Sequence, residues 1–226
     1  MPIGTLAGKD ARVPGFGTLA GRDARVPGKF MSDEIFRPDG WHNRGYLPHF
    51  DGGEISQFIT FRLSDSLPQT VLNLWREQLS HKDLHEMEVI MQRRIEKYLD
   101  QNYGECYLKD KRIASIVQDS LLFFDSKRYR ILSWVIMPNH VHLLMTPCSG
   151  FTLSGIMHSI KSFTGQEANK ILNRKGKFWM DEYFDRYIRD SNHFEKAVAY
   201  IENNPVKARL CKTPDEWEFS SAYRKH

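Results

Sequence analysis

Arg128-Tyr-Arg-Ile-Leu-Ser-Trp-Val-Ile-Met-Pro-Asn-His-Val-His-Leu-Leu-Met145 is the stretch on which the reading of the fold turns. Tyr129, Ile131, Leu132, Trp134, Val135 and Ile136 make Arg128–Met137 rich in β-formers, and Pro138-Asn139 punctuates it before a second run, His140–Met145. Two consecutive strands are therefore expected at the centre of the chain. Upstream, Ile55–Leu63 with Phe58, Ile59, Thr60 and Phe61 reads as a strand. Between it and the central pair lie three helical stretches. Pro68 at an N1 position opens the first, with Val71, Leu72, Leu74, Trp75 and Leu79 as its stripe; the others run over about Asp83–Leu99 and Arg112–Phe123. Downstream, Phe151–Leu172 is helical, with Leu153, Ile156, Ile160 and Phe163 at steps of three and four. Phe178–Arg189 is aromatic-rich and extended. A last helix is expected from Asn192, as cap with Glu195 at N3, to about Asn203. Merging the helices between the first two strands gives β-α-β-β-α-β plus one helix. That order is the α+β, ferredoxin-like split βαβ arrangement: an antiparallel sheet with helices on one face, here followed by a C-terminal helix.

The 226 residues, 41% apolar and 27% charged, are enough for one domain with a substantial core. No run approaches the roughly 18 apolar residues of a membrane helix, and no signal-peptide h-region opens the chain. Cys106, Cys148 and Cys211 are odd in number and far apart, which argues against a disulfide framework or a cysteine zinc site and for a reducing cytosol. Residues 1–30 carry a direct repeat: Gly4-Thr-Leu-Ala-Gly-Lys-Asp-Ala-Arg-Val-Pro-Gly15 recurs as Gly17–Gly28 with Arg22 in place of Lys9. Two short Gly/Pro-bearing copies cannot close a core, so residues 1–30 are expected to be a disordered tail and residues 31–226 a single domain. Met31 offers an alternative start. Five basic residues against two acidic ones in the tail account for most of the net +4, so basicity alone is a weak argument for a nucleic-acid partner.

Chemistry must therefore be sought in sites. In a strand, His140 and His142 point to the same face while Val141 and Leu143 point to the other. Two neutral imidazoles side by side can hold a divalent metal with open positions; the bland alternative is one exposed and one hydrogen-bonded histidine. A histidine-triad hydrolase would need a third histidine where Leu144 stands, and no second H-x-[ST] strand exists for a two-histidine phosphoesterase. On the last helix Tyr200 and Asn204, four residues apart, share a face. Tyr200 could be a nucleophile and Asn204 an oxygen donor to Mg²⁺ or Mn²⁺. Equally, Tyr200 could be a half-buried core aromatic and Asn204 a C-terminal cap before a helix-stopping Pro205. Two imidazoles, an amide and a phenol, without a carboxylate cluster, suit covalent phosphodiester chemistry better than general-base hydrolysis.

The sequence resembles the Y1 HUH transposases, most closely the REP-associated tyrosine transposases of the IS200/IS605-like group. The resemblance rests on Trp134-Val-Ile-Met-Pro-Asn-His-Val-His-Leu-Leu144, Phe178-Trp-Met-Asp-Glu-Tyr-Phe-Asp-Arg-Tyr-Ile-Arg-Asp190, His193-Phe194 and Tyr200-Ile-Glu-Asn-Asn-Pro-Val-Lys207, with support from Gly104–Leu108 and Trp217–Ala222. It spans about residues 41–225; Met180 departs from it, standing where such proteins often carry glutamine. The resemblance implies His140, His142 and Asn204 as ligands of Mg²⁺ or Mn²⁺, and Tyr200 as a nucleophile forming a 5′-phosphotyrosine. It further implies a single-stranded, hairpin-forming repeat as substrate, a cytoplasmic setting beside the nucleoid, and no nucleotide cofactor. Phosphate contacts are expected from Arg44, Lys161, Arg186 and Arg189, and base stacking from Trp41, Tyr46, Trp179 or Tyr183. Solvated charge and core packing are the competing readings of these residues. A non-cutting repeat-DNA-binding regulator is the runner-up function, a structural metal site a third, and monomer and dimer both stay open.

Overall fold

The computed structural model describes residues 41–43, 48–50 and 53–225; the repeat, Met31, Arg44 and Tyr46 lie outside the described residues. A short hairpin of β1 (Trp41–Asn43) and β2 (Pro48–Phe50) precedes the main sheet. The sheet is built from β3 (Gln57–Arg62), β4 (Tyr129–Ile136), β5 (His140–Pro147) and β6 (Phe184–Tyr187) in the order β4-β5-β3-β6, every pair antiparallel. Numbered within the sheet this is 2-3-1-4, with the second chain strand reaching the first only across the third. The split βαβ order expected from the sequence is the one observed.

Alternation sorts the strands between two cores. Ile59, Phe61, Val141, Leu143 and Met145 face α3 (Lys111–Phe123) and α4 (Leu153–Ile171), meeting Ile113, Val117, Leu121, Ile156 and Ile160. Phe58, Val135 and Leu144 face the other way, onto Phe194, Ala197 and Ile201 of α5 (Ser191–Lys207). A register shift between Ile131 and Ser133 lets Ile131, Trp134 and Ile136 share the first face despite their odd spacing. α1 (Gln69–Leu79) and α2 (Leu84–Leu99) pack around a third cluster of their own, Leu67, Leu72, Leu79 and Met91. The C-terminal end of α2 reaches the α5 side of the sheet, where Lys207 Nζ meets Asp100 Oδ2 at 2.6 Å. The turn after α2 doubles back tightly: Gly104 has φ +89°, and a Cβ there would lie 3.0 Å from the Asp65 carbonyl oxygen, so only glycine fits.

Several local expectations shift. Pro68 caps α1 rather than occupying N1, and Leu74 points to solvent at 52% exposure. In α4 the buried stripe runs Leu153, Ile156, Ile160, Thr164, Ala168, leaving Phe163 53% exposed, because successive steps of four carry the stripe past it. Of Phe178–Arg189 only Phe184–Tyr187 pairs as a strand, and Phe178 and Trp179 turn into the α3/α4 core. The cap of α5 is Asp190, which accepts from the His193 N–H at 2.7 Å, so the helix starts two residues earlier than the Asn192–Glu195 pattern suggests. Pro205 does not stop this helix, which continues to Lys207. Asp190→Ala should cost about 1 kcal/mol in urea unfolding, the usual loss for an N-cap. Asn192→Ala should leave the midpoint in place; equal losses would return the cap to Asn192.

Candidate active site

The register of β3 against β5 builds the site. Thr60 pairs with His142 and Arg62 with His140, so both imidazoles leave the sheet on the α5 face. They are 0% and 1% exposed. Their ring centroids are 4.6 Å apart, and the two Nε2 atoms face each other at 3.1 Å. Behind them, His142 Nδ1 meets Thr60 Oγ1 at 2.8 Å and His140 Nδ1 meets Asn139 Oδ1 at 2.7 Å. Phe58 stacks on His142 with centroids 5.5 Å apart. Tyr200 comes edge-on to both, 5.2 Å from His142 and 5.8 Å from Phe58.

Asn204, one turn beyond Tyr200, is buried at 1% exposure. Its Oδ1 and Nδ2, and the Tyr200 Oη, are enclosed without a hydrogen-bond partner. Buried polar atoms without partners cost on the order of 1–3 kcal/mol each, and such orphans one turn apart on α5, where the Tyr200 ring meets His142, mark a place for a polar guest. Two imidazoles and one amide oxygen fit a divalent cation with open positions. Among the described residues no three His, Cys, Asp or Glu side chains gather closely enough to hold a metal, so the amide would be needed to complete a three-residue set.

Electrostatics favour the same arrangement. Burial, then Lys207, pushes the His140 pKa down to about 3; burial, His140 and Lys207 hold His142 well below its ordinary value. Both rings are neutral at pH 7, the form that ligates metals. Burial, then the carboxylates Glu96 and Asp100, raises the Tyr200 phenol far above its ordinary 10, keeping it protonated. The neighbouring Asn204 side chain works against that rise, and Lys207 Nζ lies 5.4 Å from the Tyr200 ring centroid. Glu96, on α2, is itself raised by burial, with the Gln92 hydrogen bond and Lys207 working against the shift.

The remaining candidates divide. Arg186 and Arg189 sit at and just beyond β6 beside His193, whose Nδ1 accepts the Arg189 N–H at 3.3 Å. Burial lowers Arg186, and the nearby Arg189 adds to the effect. Lys161 stands apart: its Nζ donates to the Asp181 carbonyl, 5.7 Å from the Tyr183 ring centroid, and burial lowers it to about 8. It lines a groove of about 570 Å³ between α4 and residues 176–183. Trp179 and Tyr183 are buried, and Trp179 Nε1 donates to Thr164 Oγ1 at 2.8 Å, so core packing rather than base stacking describes them. Met180 joins the groove wall. Trp41 opens β1, outside the main sheet. Four residues around the site had not stood out in the sequence: Thr60, Asn139, Glu96 and Asp100. The four-residue spacing of Glu96 and Asp100 on a helix was a readable sign of a shared face. Thr60 becomes visible only through strand register.

Fold and site together define a ferredoxin-like domain that sets a tyrosine of its last helix, with a buried asparagine one turn on, against one of two strand-borne histidines. Residues 107–204 match the family described as Transposase IS200 like, and this segment relates the chain to those transposases. Over 98 residues the chain is 30% identical to a REP-associated tyrosine transposase of Escherichia coli (strain K12), covering 42% of this chain and 56% of that protein. The chain thus spans little more than half of that relative. A solved REP-associated tyrosine transposase bound to a REP hairpin aligns at 18% identity, TM-score 0.45, over 76% of this chain and 79% of its own. A putative transposase from Deinococcus radiodurans R1 aligns at 12% identity, TM-score 0.30, over 72% and 96%.

The histidine shifts have a stability consequence. Between about pH 3, where buried His140 titrates, and 6.5, its ordinary value, the unfolded chain binds a proton that the folded chain does not. Stability should therefore fall as pH drops below 6.5. Replacing His140 with glutamine should flatten the difference between urea midpoints at pH 7.5 and pH 5; an unchanged pH dependence would mean His140 is not buried in its neutral form.

Proposed function

We propose that this chain is a divalent-metal-dependent DNA endonuclease and strand transferase that uses Tyr200 as its nucleophile on single-stranded, hairpin-forming repeat DNA. The observation that carries the reading is the Tyr200 ring set edge-on to His142, which itself abuts His140, with the buried Asn204 amide one turn away on α5. His140 and His142 through their imidazoles, and Asn204 through Oδ1, would hold the ion. Bound there, Mg²⁺ or Mn²⁺ supplies charge that polarises a scissile phosphate and favours the phenolate.

The chain's own groups do the rest. Tyr200 Oη attacks phosphorus, a phosphotyrosine ester forms, and the bond to the 3′ oxygen breaks. The leaving oxygen gains a proton and becomes a free 3′-hydroxyl. Because the ester keeps the energy of the broken bond, a second 3′-hydroxyl can displace Tyr200 and rejoin strands without a nucleotide cofactor. Resting Tyr200 is held protonated by burial and by Glu96 and Asp100, with the Asn204 side chain working the other way. Arg186 and Arg189 lie near His193, two turns before Tyr200 on α5, where they would bind the backbone of an incoming strand. Lys161, in its groove along α4, would meet a phosphate only farther from the tyrosine.

The test is incubation with end-labelled repeat hairpins and Mg²⁺ or Mn²⁺, read on denaturing gels. Wild-type protein should give a covalent adduct and a free 3′ end, and Tyr200→Phe neither. Persistence of the adduct in Tyr200→Phe overturns the nucleophile assignment, and a wild-type mobility shift without any adduct favours a non-cutting binder. In salt titrations, Arg186→Ala and Arg189→Ala should each weaken binding and reduce the log–log salt slope by about 1. Unchanged slopes would remove both arginines from the strand path.

A further inference from the structure

The two histidines are held from behind by different chemistry. Asn139 Nδ2 donates to two backbone carbonyls, that of Leu99 at the end of α2 (3.3 Å) and that of Tyr103 in the turn that follows (2.9 Å). This fixes the orientation of the amide and leaves Oδ1 facing His140 Nδ1 at 2.7 Å. An amide oxygen only accepts, so Nδ1 must carry the His140 proton and Nε2 must be bare. Thr60, behind His142, has a hydroxyl that can donate or accept. The two Nε2 atoms face each other at 3.1 Å, a distance at which two bare nitrogens would repel. With no cation present, His142 must therefore place its own proton on Nε2, toward His140, and accept the Thr60 hydroxyl proton at Nδ1.

We propose that Asn139 is a positioning residue that locks His140 in the Nδ1–H tautomer, while Thr60 lets His142 exchange tautomers when a divalent cation binds. The proton balance is closed. His142 gives up the proton at Nε2 and takes one at Nδ1, and the Thr60 hydroxyl turns from donor to acceptor. His140 keeps its proton throughout. The pair is thus asymmetric, with one ligand fixed in advance and one adaptable. The lock also runs through Leu99 and Tyr103, so the end of α2 helps to orient a prospective metal ligand from outside the strand that carries it.

This assignment rests on the metal reading for its purpose but can be tested without it. Long-range ¹H–¹⁵N spectra of the full chain report which imidazole nitrogen carries hydrogen. In metal-free protein His140 should show Nδ1–H and His142 Nε2–H; His140 protonated at Nε2 overturns the proposal outright. On adding Mg²⁺, His142 should change to Nδ1–H and His140 should not; a change at His140 instead also overturns it. Asn139→Ala should give His140 a mixture of tautomers and weaken Mn²⁺ binding by about 10-fold or more, the usual range for losing such a partner. Thr60→Val should weaken Mn²⁺ binding without altering the His140 tautomer, and Thr60→Ser should restore it. Should Asn139→Ala fail to fold, the metal-free wild-type spectrum still decides the lock. If neither ion binds the wild type, the proposed activity and the His142 exchange fall together, while the His140 lock stands or falls on that spectrum.

Discussion

The antiparallel register between β3 and β5 is the constraint on which the site depends. It sets Thr60 beside His142, turns both histidines toward α5 and leaves Val141 and Leu143 for the opposite core. A slip of one residue would invert every side chain of the strand, sending the imidazoles into the α3/α4 core and apolar residues into the site. That core, filled by Phe61, Val117, Leu121 and Leu143 among others, therefore fixes the register. The active-site face inherits its geometry from packing on the face it does not use.

Burial gives the site both its chemistry and its restraint. Removed from water, the imidazoles are neutral and the phenol is protonated. The first state suits metal ligation, and the second keeps the phenol from ionising. Glu96 and Asp100 deepen the second effect, and the Asp100–Lys207 ion pair ties α2 to α5. The resting site is thus held by a charge balance among α2, α5 and the sheet. Introducing a cation and a phosphate would change that balance at its centre, where low polarizability makes each charge count for more than it would in water.

Much of this was legible in the sequence, and the boundary is physical. Strand and helix order followed from hydrophobic period, and the shared face of His140 and His142 from the two-residue period of a strand. Tyr200 and Asn204 could be placed on one helical face, but the approach of Tyr200 to His142 could not, because that depends on how α5 packs against the sheet. Cap positions shift because local patterns compete with tertiary contacts, as Asp190 outcompetes Asn192 for the helix start; for Trp179 the structure selects core packing of the two open readings, with Thr164 offering the indole a buried acceptor. Pro205 was read as a possible helix stop. Its fixed φ suits a helix, and carrying the helix past it keeps Asn204 one turn from Tyr200.

The site is distributed along the chain on both sides of the boundary of the matched segment. Residues 107–204, the segment matched to IS200-like transposases, contain His140, His142, Tyr200, Asn204 and Asn139. Thr60, Glu96, Asp100 and the Leu99 and Tyr103 carbonyls all precede it, on β3, α2 and the turn that follows. Atoms that would touch an ion and a phosphate thus lie inside the segment, whereas most groups that set tautomer, protonation and orientation lie outside it. Side chains that meet the reacting atoms must keep their identity, but a proton acceptor or a countercharge can be supplied by any element that reaches the same place. α2, packed with α1 around a cluster of their own, reaches it here. Changes in this helical pair would therefore tune the site without altering the residues proposed to perform the reaction.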